Sequence, residues 1–172
     1  FMNMIVQLYG HDQGMQYLTQ LDRNVQVYTK VGATPVKNLG TGECVIAVGF
    51  LHDGIAQIED NHYENIELVQ PTSGVSYEIG ATAALKGCAH PNAAKLWLEY
   101  ALSPECVELG AKNGSYQNLV IDNATQPSQV SKHKLNPDNV MDYDFESAKE
   151  HTTAYAQEIM GIIGGTDSRF ER

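Results

Sequence analysis

The chain has 172 residues, 42% of them hydrophobic and 19% charged, with 21 acidic against 11 basic side chains and a formal net charge of -10. Binding nucleic acid takes a local excess of cations that displaces counterions, and an acidic chain with no Lys/Arg cluster lacks it; the same balance disfavours an anionic membrane leaflet. No apolar run approaches the roughly 20 residues of a bilayer span, so no membrane insertion is expected, and the length suits one ordinary domain with a sizeable core.

The first nine residues, Phe-Met-Asn-Met-Ile-Val-Gln-Leu-Tyr, are apolar along one helical face. They lack the basic leading region and small-residue cleavage site of a signal peptide, and read as the middle of a helix that closes at Gly10. A second helix begins near His11-Asp12, with Asp12 as its N-cap, and carries Met15, Leu18 and Leu21 at spacings of three on one face. Val25, Val27 and Val31 suggest extended chain around Tyr28, turning at Gly32 and again before Pro35. A short helix over 35–39 ends at Gly40-Thr41-Gly42. That glycine loop precedes a strand and not a helix, so it reads as a tight turn; a phosphate cradle needs the amides of a following helix aimed at the anion.

Residues 43–50, Glu-Cys-Val-Ile-Ala-Val-Gly-Phe, form an almost uninterrupted apolar run. Such a run suits a central parallel strand covered on both faces. A turn at 51–54, a helix from about Ile55 to Glu59 and a short strand over 66–69 follow, ending at Pro71. The strand-helix-strand order implies a right-handed crossover and an α/β, doubly wound lobe. Next come a small-residue strand over 80–85, a turn at Lys86-Gly87, a helix opened by Pro91 with His90 at its N-cap, and another opened by Ser103-Pro104-Glu105. The stretch 122–138, rich in Asn, Gln, Ser and Pro, reads as a long surface connection. It delivers Asp142-Tyr143-Asp144-Phe145 to a final helix over about 146–163, stopped by Gly164-Gly165, with a frayed tail over 166–172.

The three cysteines, Cys44, Cys88 and Cys106, have neither Cys-x-x-Cys spacing nor a histidine at zinc-finger distance. No structural metal is expected, and all three read as free, mostly buried thiols. No cofactor motif appears. Gly-x-Ser-x-Gly and His-Glu-x-x-His are both absent, which leaves a hydrolase without a nucleophile or metal partner for His52.

Open α/β sheets bind ligands in the crevice at the carboxyl ends of their strands. His52 and Asp53 fall just past the end of the 43–50 run, where they offer a hydrogen-bond donor and a charged acceptor to vicinal hydroxyls. A plainer alternative stands beside this one: Asp53 caps the following helix and His52 is merely exposed. Glu78 interrupts a run of small and apolar residues, and a carboxylate there is costly unless it is paired, hydrated or meeting a ligand. Tyr77 beside it offers an aromatic wall or a hydroxyl. Successive strand residues face opposite sides, so one of the two can instead point to solvent.

The segment 76–105, Ser-Tyr-Glu-Ile-Gly-Ala-Thr-Ala-Ala-Leu-Lys-Gly-Cys-Ala-His-Pro-Asn-Ala-Ala-Lys-Leu-Trp-Leu-Glu-Tyr-Ala-Leu-Ser-Pro-Glu, resembles the late part of bacterial extracellular solute-binding proteins of the two-lobed type II kind, which feed ABC importers. The Tyr-Asp-Phe before the last helix is similar as well. The resemblance lies with the iron(III)-type sequence family and covers only the C-terminal half of a member. It implies a fragment of a longer precursor, periplasmic or extracellular, whose targeting segment is absent from this chain. It implies a C-terminal lobe made of 1–71 and 120–172, and a segment 72–119 that belongs to the N-terminal lobe. Ferric-ion members place two adjacent tyrosines after the central strand, whereas here Phe50-Leu51-His52-Asp53 carries none, so no metal is expected. Gly-Phe-Leu-His-Asp resembles instead the hexose-phosphate subgroup, where a His-Asp pair and a glutamate hold sugar hydroxyls. By that resemblance His52, Asp53, Glu78 and, more loosely, Tyr77 contact a sugar phosphate that an ABC permease then takes up. The resemblance leaves ferric ion, phosphonate or polyamine binding, or a ligand-sensing interaction domain, as alternatives.

Overall fold

The computed structural model of the chain describes residues 1–164; the frayed tail expected over 166–172 and the second glycine of the expected stop, Gly165, lie outside them. Nine helices occur among the described residues: α1 (Met2–Tyr9), α2 (His11–Asp22), α3 (Thr34–Thr41), α4 (Leu51–Glu59), α5 (Pro91–Ala101), α6 (Pro104–Val107), α7 (Leu109–Lys112), α8 (Ser128–Lys132) and α9 (Phe145–Ile163). They belong to two compact units. One comprises Phe1–Pro35, Gln70–Tyr77 and the described part of Asp138–Arg172; the other comprises Val36–Val69 and Glu78–Pro137.

In the first unit α1, α2 and α9 pack together around Ile5, Val6, Met15 and Leu18, with Met2, Met4, Leu21, Tyr155 and Ile159 closing over them. The sharp reversal between α1 and α2 turns on Gly10, whose φ of 79° is open to glycine at no steric cost. The expected cap at Asp12 is not made: Gly10 is the N-cap and Asp12 lies inside the first turn, where its charge faces the positive end of the helix. Gly14 sets how closely the two helices approach, since a Cβ there would meet the Val6 Cα at 2.9 Å. Polar contacts fix the register of α9. Gln7 Nε2 donates to the Asp144 carbonyl and Gln7 Oε1 accepts from the Asp144 amide, both at 2.9 Å, while Asp144 caps α9 by accepting from the Ser147 amide. The final helix therefore starts at Phe145, where its cap dictates, and ends at Gly164 with φ 72°.

His11 joins α2 to α9. Its Nε2 lies 2.9 Å from Glu158 Oε2 and its Nδ1 3.0 Å from Asp12 Oδ1, so both carboxylates favour the imidazolium and raise the pKa. Because the folded-state value is raised, this contribution is fully present below the unfolded imidazole value of about 6.5 and is lost as the pH climbs through the folded one. The His11 ring protons followed by NMR should titrate with a midpoint above about 6.5, and Glu158→Gln should lower it. A midpoint at or below that value would remove the ion pair from the account.

The second unit is organised by Ile55, which is 1% exposed and packs with Tyr116 and Val130; Ala56, Leu68, Ala111 and Leu135 surround them. α4 begins at Leu51, four residues before the expected start. Gly54, which suggests a turn when read in sequence, is a helical residue chosen for contact: a Cβ there would fall 2.3 Å from Leu68 Cδ2. Gly40 is explained the same way. It belongs to α3 and sits under the Tyr63 ring, 2.5 Å from where a Cβ would be, so the turn proper is left to Gly42 with φ 81°.

The stretch 122–138 is more than a surface connection, because it contains α8. Val130 on α8 is buried against Ile55, and the α8 end is tied to α4 by Lys132 Nζ at 2.7 Å and His133 Nε2 at 2.7 Å from Glu59 Oε1. Those two partners hold the Glu59 carboxyl below its ordinary pKa. Tyr116 donates its hydroxyl to Asp60 Oδ1 at 2.6 Å, and that bond, with burial and the nearby carboxylates, pushes the phenol up to about 12.

The expected strands do not form ladders among the described residues. Tyr28, Val75 and Val140 occupy isolated bridges, and Val75 pairs with Val140 in parallel through Val75 N to Asn139 O and Met141 N to Val75 O, both at 3.1 Å. The 43–50 run has no regular hydrogen-bonded structure, although Phe50 is extended at φ -78°, ψ 137°. The 66–69 segment keeps a two-residue alternation, with Ile66 and Leu68 half-buried and Glu67 and Val69 exposed. A central strand is stable only with neighbours on both edges, and those neighbours are not found among the described residues. Among the described residues the expected α/β character is therefore not seen: the apolar runs are there without a sheet.

The helices over 91–107 follow their start signals. Pro91 opens α5 after His90, and Ser103 caps α6 by accepting from the Cys106 amide at 3.3 Å. Cys44, Cys88 and Cys106 form no disulfide among the described residues, and each is half-buried and not deeply buried. Burial, with the Glu43 charge beside it, raises the Cys44 pKa. No described helix is long and apolar enough to cross a membrane.

Candidate functional site

α4 positions His52 and Asp53 in its first turn, as the second and third helical residues. Phe50 is the N-cap and has no side-chain oxygen to bond the first-turn amides, so those donors have no side-chain cap. Asp53 is not the cap that the plainer alternative assigns to it. It is the acidic residue of the first turn, at the positive end of the helix dipole.

The pair is poised and only partly covered. His52 Nε2 lies 3.6 Å from Asp53 Oδ1, beyond a good hydrogen bond but within ion-pair range, and the two side chains are 27% and 23% exposed. The Phe50 ring stacks on the imidazole at 5.3 Å with planes 23° apart, which limits how His52 can rotate. Gly54 and Ile55, buried directly after the pair, anchor this turn to the core of the second unit. The arrangement presents one imidazole donor, one carboxylate acceptor and a set of helix-terminal amides at a single place. That chemistry suits hydroxyls or an oxyanion.

Glu78 belongs to the same unit, in an exposed segment, and makes no hydrogen bond or ion pair among the described residues. It is therefore available to a ligand, and no contact ties it to His52 or Asp53 in the chain as it stands. Tyr77 belongs to the first unit, where its ring meets Phe145 edge-on at 5.2 Å; Phe145 in turn meets Tyr143 edge-on at 4.9 Å. Its aromatic face is engaged in that packing.

A groove lined by Ile58, Ile66, Glu67, Leu68, Lys132, His133 and Lys134 lies at the opposite end of α4, beside Glu59. None of the four expected ligand contacts lines it. Sequence reasoning misses the Glu59, Lys132 and His133 cluster because its members stand 73 and 74 positions apart with no shared motif; only the fold joins them. Among the described residues no group of three or more His, Cys, Asp or Glu side chains could hold a metal ion.

Compared with descriptions of known protein families, the chain matches none. An uncharacterized protein of Haemophilus influenzae is 41% identical over 143 residues, which is 82% of this chain and 40% of that protein. Among solved structures, the periplasmic binding protein AfuA from Actinobacillus pleuropneumoniae, with exogenous fructose-6-phosphate bound, superposes with a TM-score of 0.81 at 33% identity, covering 94% of this chain and 50% of that one. The chain thus spans half or less of the length of the proteins it matches, and along nearly all of its own length it shares the fold of part of a periplasmic binding protein.

Proposed function

We propose that this chain is part of the substrate-binding component of an ABC importer, acting outside the cytoplasm, and that the whole protein captures a sugar phosphate. The observation that carries this reading is the likeness at 33% identity and TM-score 0.81 to a binding protein solved with fructose-6-phosphate. The local chemistry agrees with it. His52, Asp53 and the open amides of α4 form a site for hydroxyls and anions, and the position lies beside the apolar 43–50 run. In this reading Glu78 supplies the second carboxylate, and the three side chains close on the sugar while much of the phosphate contact comes from protein that this chain does not include. Tyr77, occupied by Phe145, carries no weight in it.

The lobe assignment belongs to the same proposal: 1–71 with 120–172 on one side and 72–119 on the other, in the complete two-lobed protein. Uptake would follow from closure of the lobes on the ligand, which offers a permease a surface that differs from the empty form.

Native mass spectrometry of the full-length protein taken directly from cells should show a co-purified hexose phosphate. Adding ferric ion should give no visible charge-transfer band, because the turn Phe50-Leu51-His52-Asp53 directly after the run includes no phenol. A coloured stoichiometric ferric complex would replace the sugar-phosphate reading with iron uptake.

A further inference from the structure

Asn113-Gly114 is the one Asn-Gly pair of the sequence, and Asp53-Gly54 the one Asp-Gly pair. In either pair the glycine nitrogen can attack the side-chain carbonyl carbon before it and close a five-membered ring, because the glycine has no Cβ to block the approach. The fold treats the two pairs differently. Gly54 lies buried in the first turn of α4, its amide donating to the Phe50 carbonyl at 3.3 Å, with Leu68 and Val36 packed where a side chain would be. Moving that nitrogen toward Asp53 means unpacking the core around Ile55.

Asn113-Gly114 is held only by the end of α7. That helix has four residues, none of them buried, and Asn113, its C-cap, is exposed. A Schellman closure ends it: the Gly114 amide, at φ 80°, donates to the Ala111 carbonyl at 3.4 Å, and the Ser115 amide donates to the Gly110 carbonyl at 2.9 Å. The left-handed position accounts for the glycine, and the bond from Asn113 Nδ2 to the Leu109 carbonyl at 2.8 Å accounts for the asparagine. Those two choices leave a reactive pair behind one long backbone hydrogen bond. An exposed helix end of this kind opens at little cost in free energy.

We propose that Asn113-Gly114 is a site of spontaneous deamidation and isomerisation in the folded protein. When the closure opens, the Gly114 nitrogen gives its proton to hydroxide and bonds to Asn113 Cγ. The Cγ–Nδ2 bond breaks, and the leaving nitrogen takes a proton from water and departs as ammonia, which leaves a succinimide. Water then opens the ring at one carbonyl to give aspartate, or at the other to give isoaspartate, whose main chain runs through the side-chain carbon. Both products add a negative charge to the formal -10, and isoaspartate also lengthens the backbone by a carbon. That carbon enters at a tight place. A Cβ on Gly114 would stand 3.0 Å from Asp60 Oδ2, and the other oxygen of the same carboxylate accepts the Tyr116 hydroxyl at 2.6 Å. Isoaspartate therefore shifts Gly114 against Asp60 and strains the bond to Tyr116, a member of the core around Ile55.

The test ages the full-length protein at neutral and at mildly alkaline pH, both folded and in urea. Peptide mapping by mass spectrometry locates the products, and an isoaspartyl methyltransferase reports isoaspartate. The folded protein should accumulate aspartate and isoaspartate at position 113, faster at the higher pH, with a more acidic band on isoelectric focusing and no change at Asp53-Gly54. In urea both pairs should react. Asn113→Gln, which would have to close a six-membered ring, should lose the product and the acidic band while keeping the fold. The purified isoaspartyl form should unfold at a lower urea midpoint than Asn113→Asp, which adds the charge without the extra backbone carbon. A folded protein that keeps Asn113 intact while the chain in urea loses it would overturn the proposal, because the closure would then not open. An isoaspartyl form as stable as Asn113→Asp would overturn the link to Tyr116.

Discussion

Replacing Ile55 with alanine is expected to destabilise the full-length protein by about 2 to 5 kcal/mol, the range for emptying a fully buried aliphatic site. Ile55, on α4, is 1% exposed and clusters with Tyr116 and α8's Val130, with α7's Ala111 packed against the same cluster, so the cavity cannot close by a small shift of one neighbour. Its loss also frees the turn that carries His52 and Asp53, since Gly54 and Ile55 are what hold that turn against Leu68. Denaturant unfolding should show a lower midpoint at unchanged slope, the sign of lost stability without a changed unfolded state. The milder Ile55→Val should cost about 0.5 to 1.5 kcal/mol. A loss below about 0.5 kcal/mol for the alanine variant would mean that the second unit is not organised around this residue.

The helical half of this architecture is legible because its signals are local. Gly10 ends α1, Pro91 opens α5, Ser103 caps α6 and Gly164 stops α9, and each is a backbone requirement visible in one or two residues. The misplaced boundaries have one cause. Gly54 and Gly40 look like turn residues, but their missing side chains make room for Leu68 and the Tyr63 ring, partners that sequence proximity does not reveal. α8 hides for the same reason, since its five residues are held by Ile55, Tyr116 and Glu59 from distant positions. The 43–50 run is conspicuous as a sequence, yet its pairing partners are not among the described residues, so the pattern appears without the sheet. Within the candidate site, the adjacency of His52 and Asp53 is trivially legible, and what the fold adds is their place in the first turn of α4 with Phe50 stacked behind the imidazole. The role of Glu78 is not legible in the same way, because among the described residues its carboxylate is exposed and has no partner, and the fold assigns it none.

That difference sets the second large effect. If Asp53 and Glu78 each accept hydrogen bonds from sugar hydroxyls, removing either leaves a hydroxyl desolvated and unpaired in the complex. The cost is about 1 to 3 kcal/mol, or roughly 5- to 150-fold in affinity. His52→Ala should lose a single donor and fall toward the lower end of that range. Neither Asp53 nor Glu78 makes a hydrogen bond within the described chain, so both variants should melt close to wild type and the loss should be confined to binding.

The most direct measurement is calorimetric titration of fructose 6-phosphate into full-length wild-type, Asp53→Ala and Glu78→Ala proteins, with thermal melts alongside. Binding by the wild type, weakened roughly 5- to 150-fold in each folded variant, is the predicted result. Wild-type affinity retained in both variants would contradict the placement of this site on α4 and Glu78.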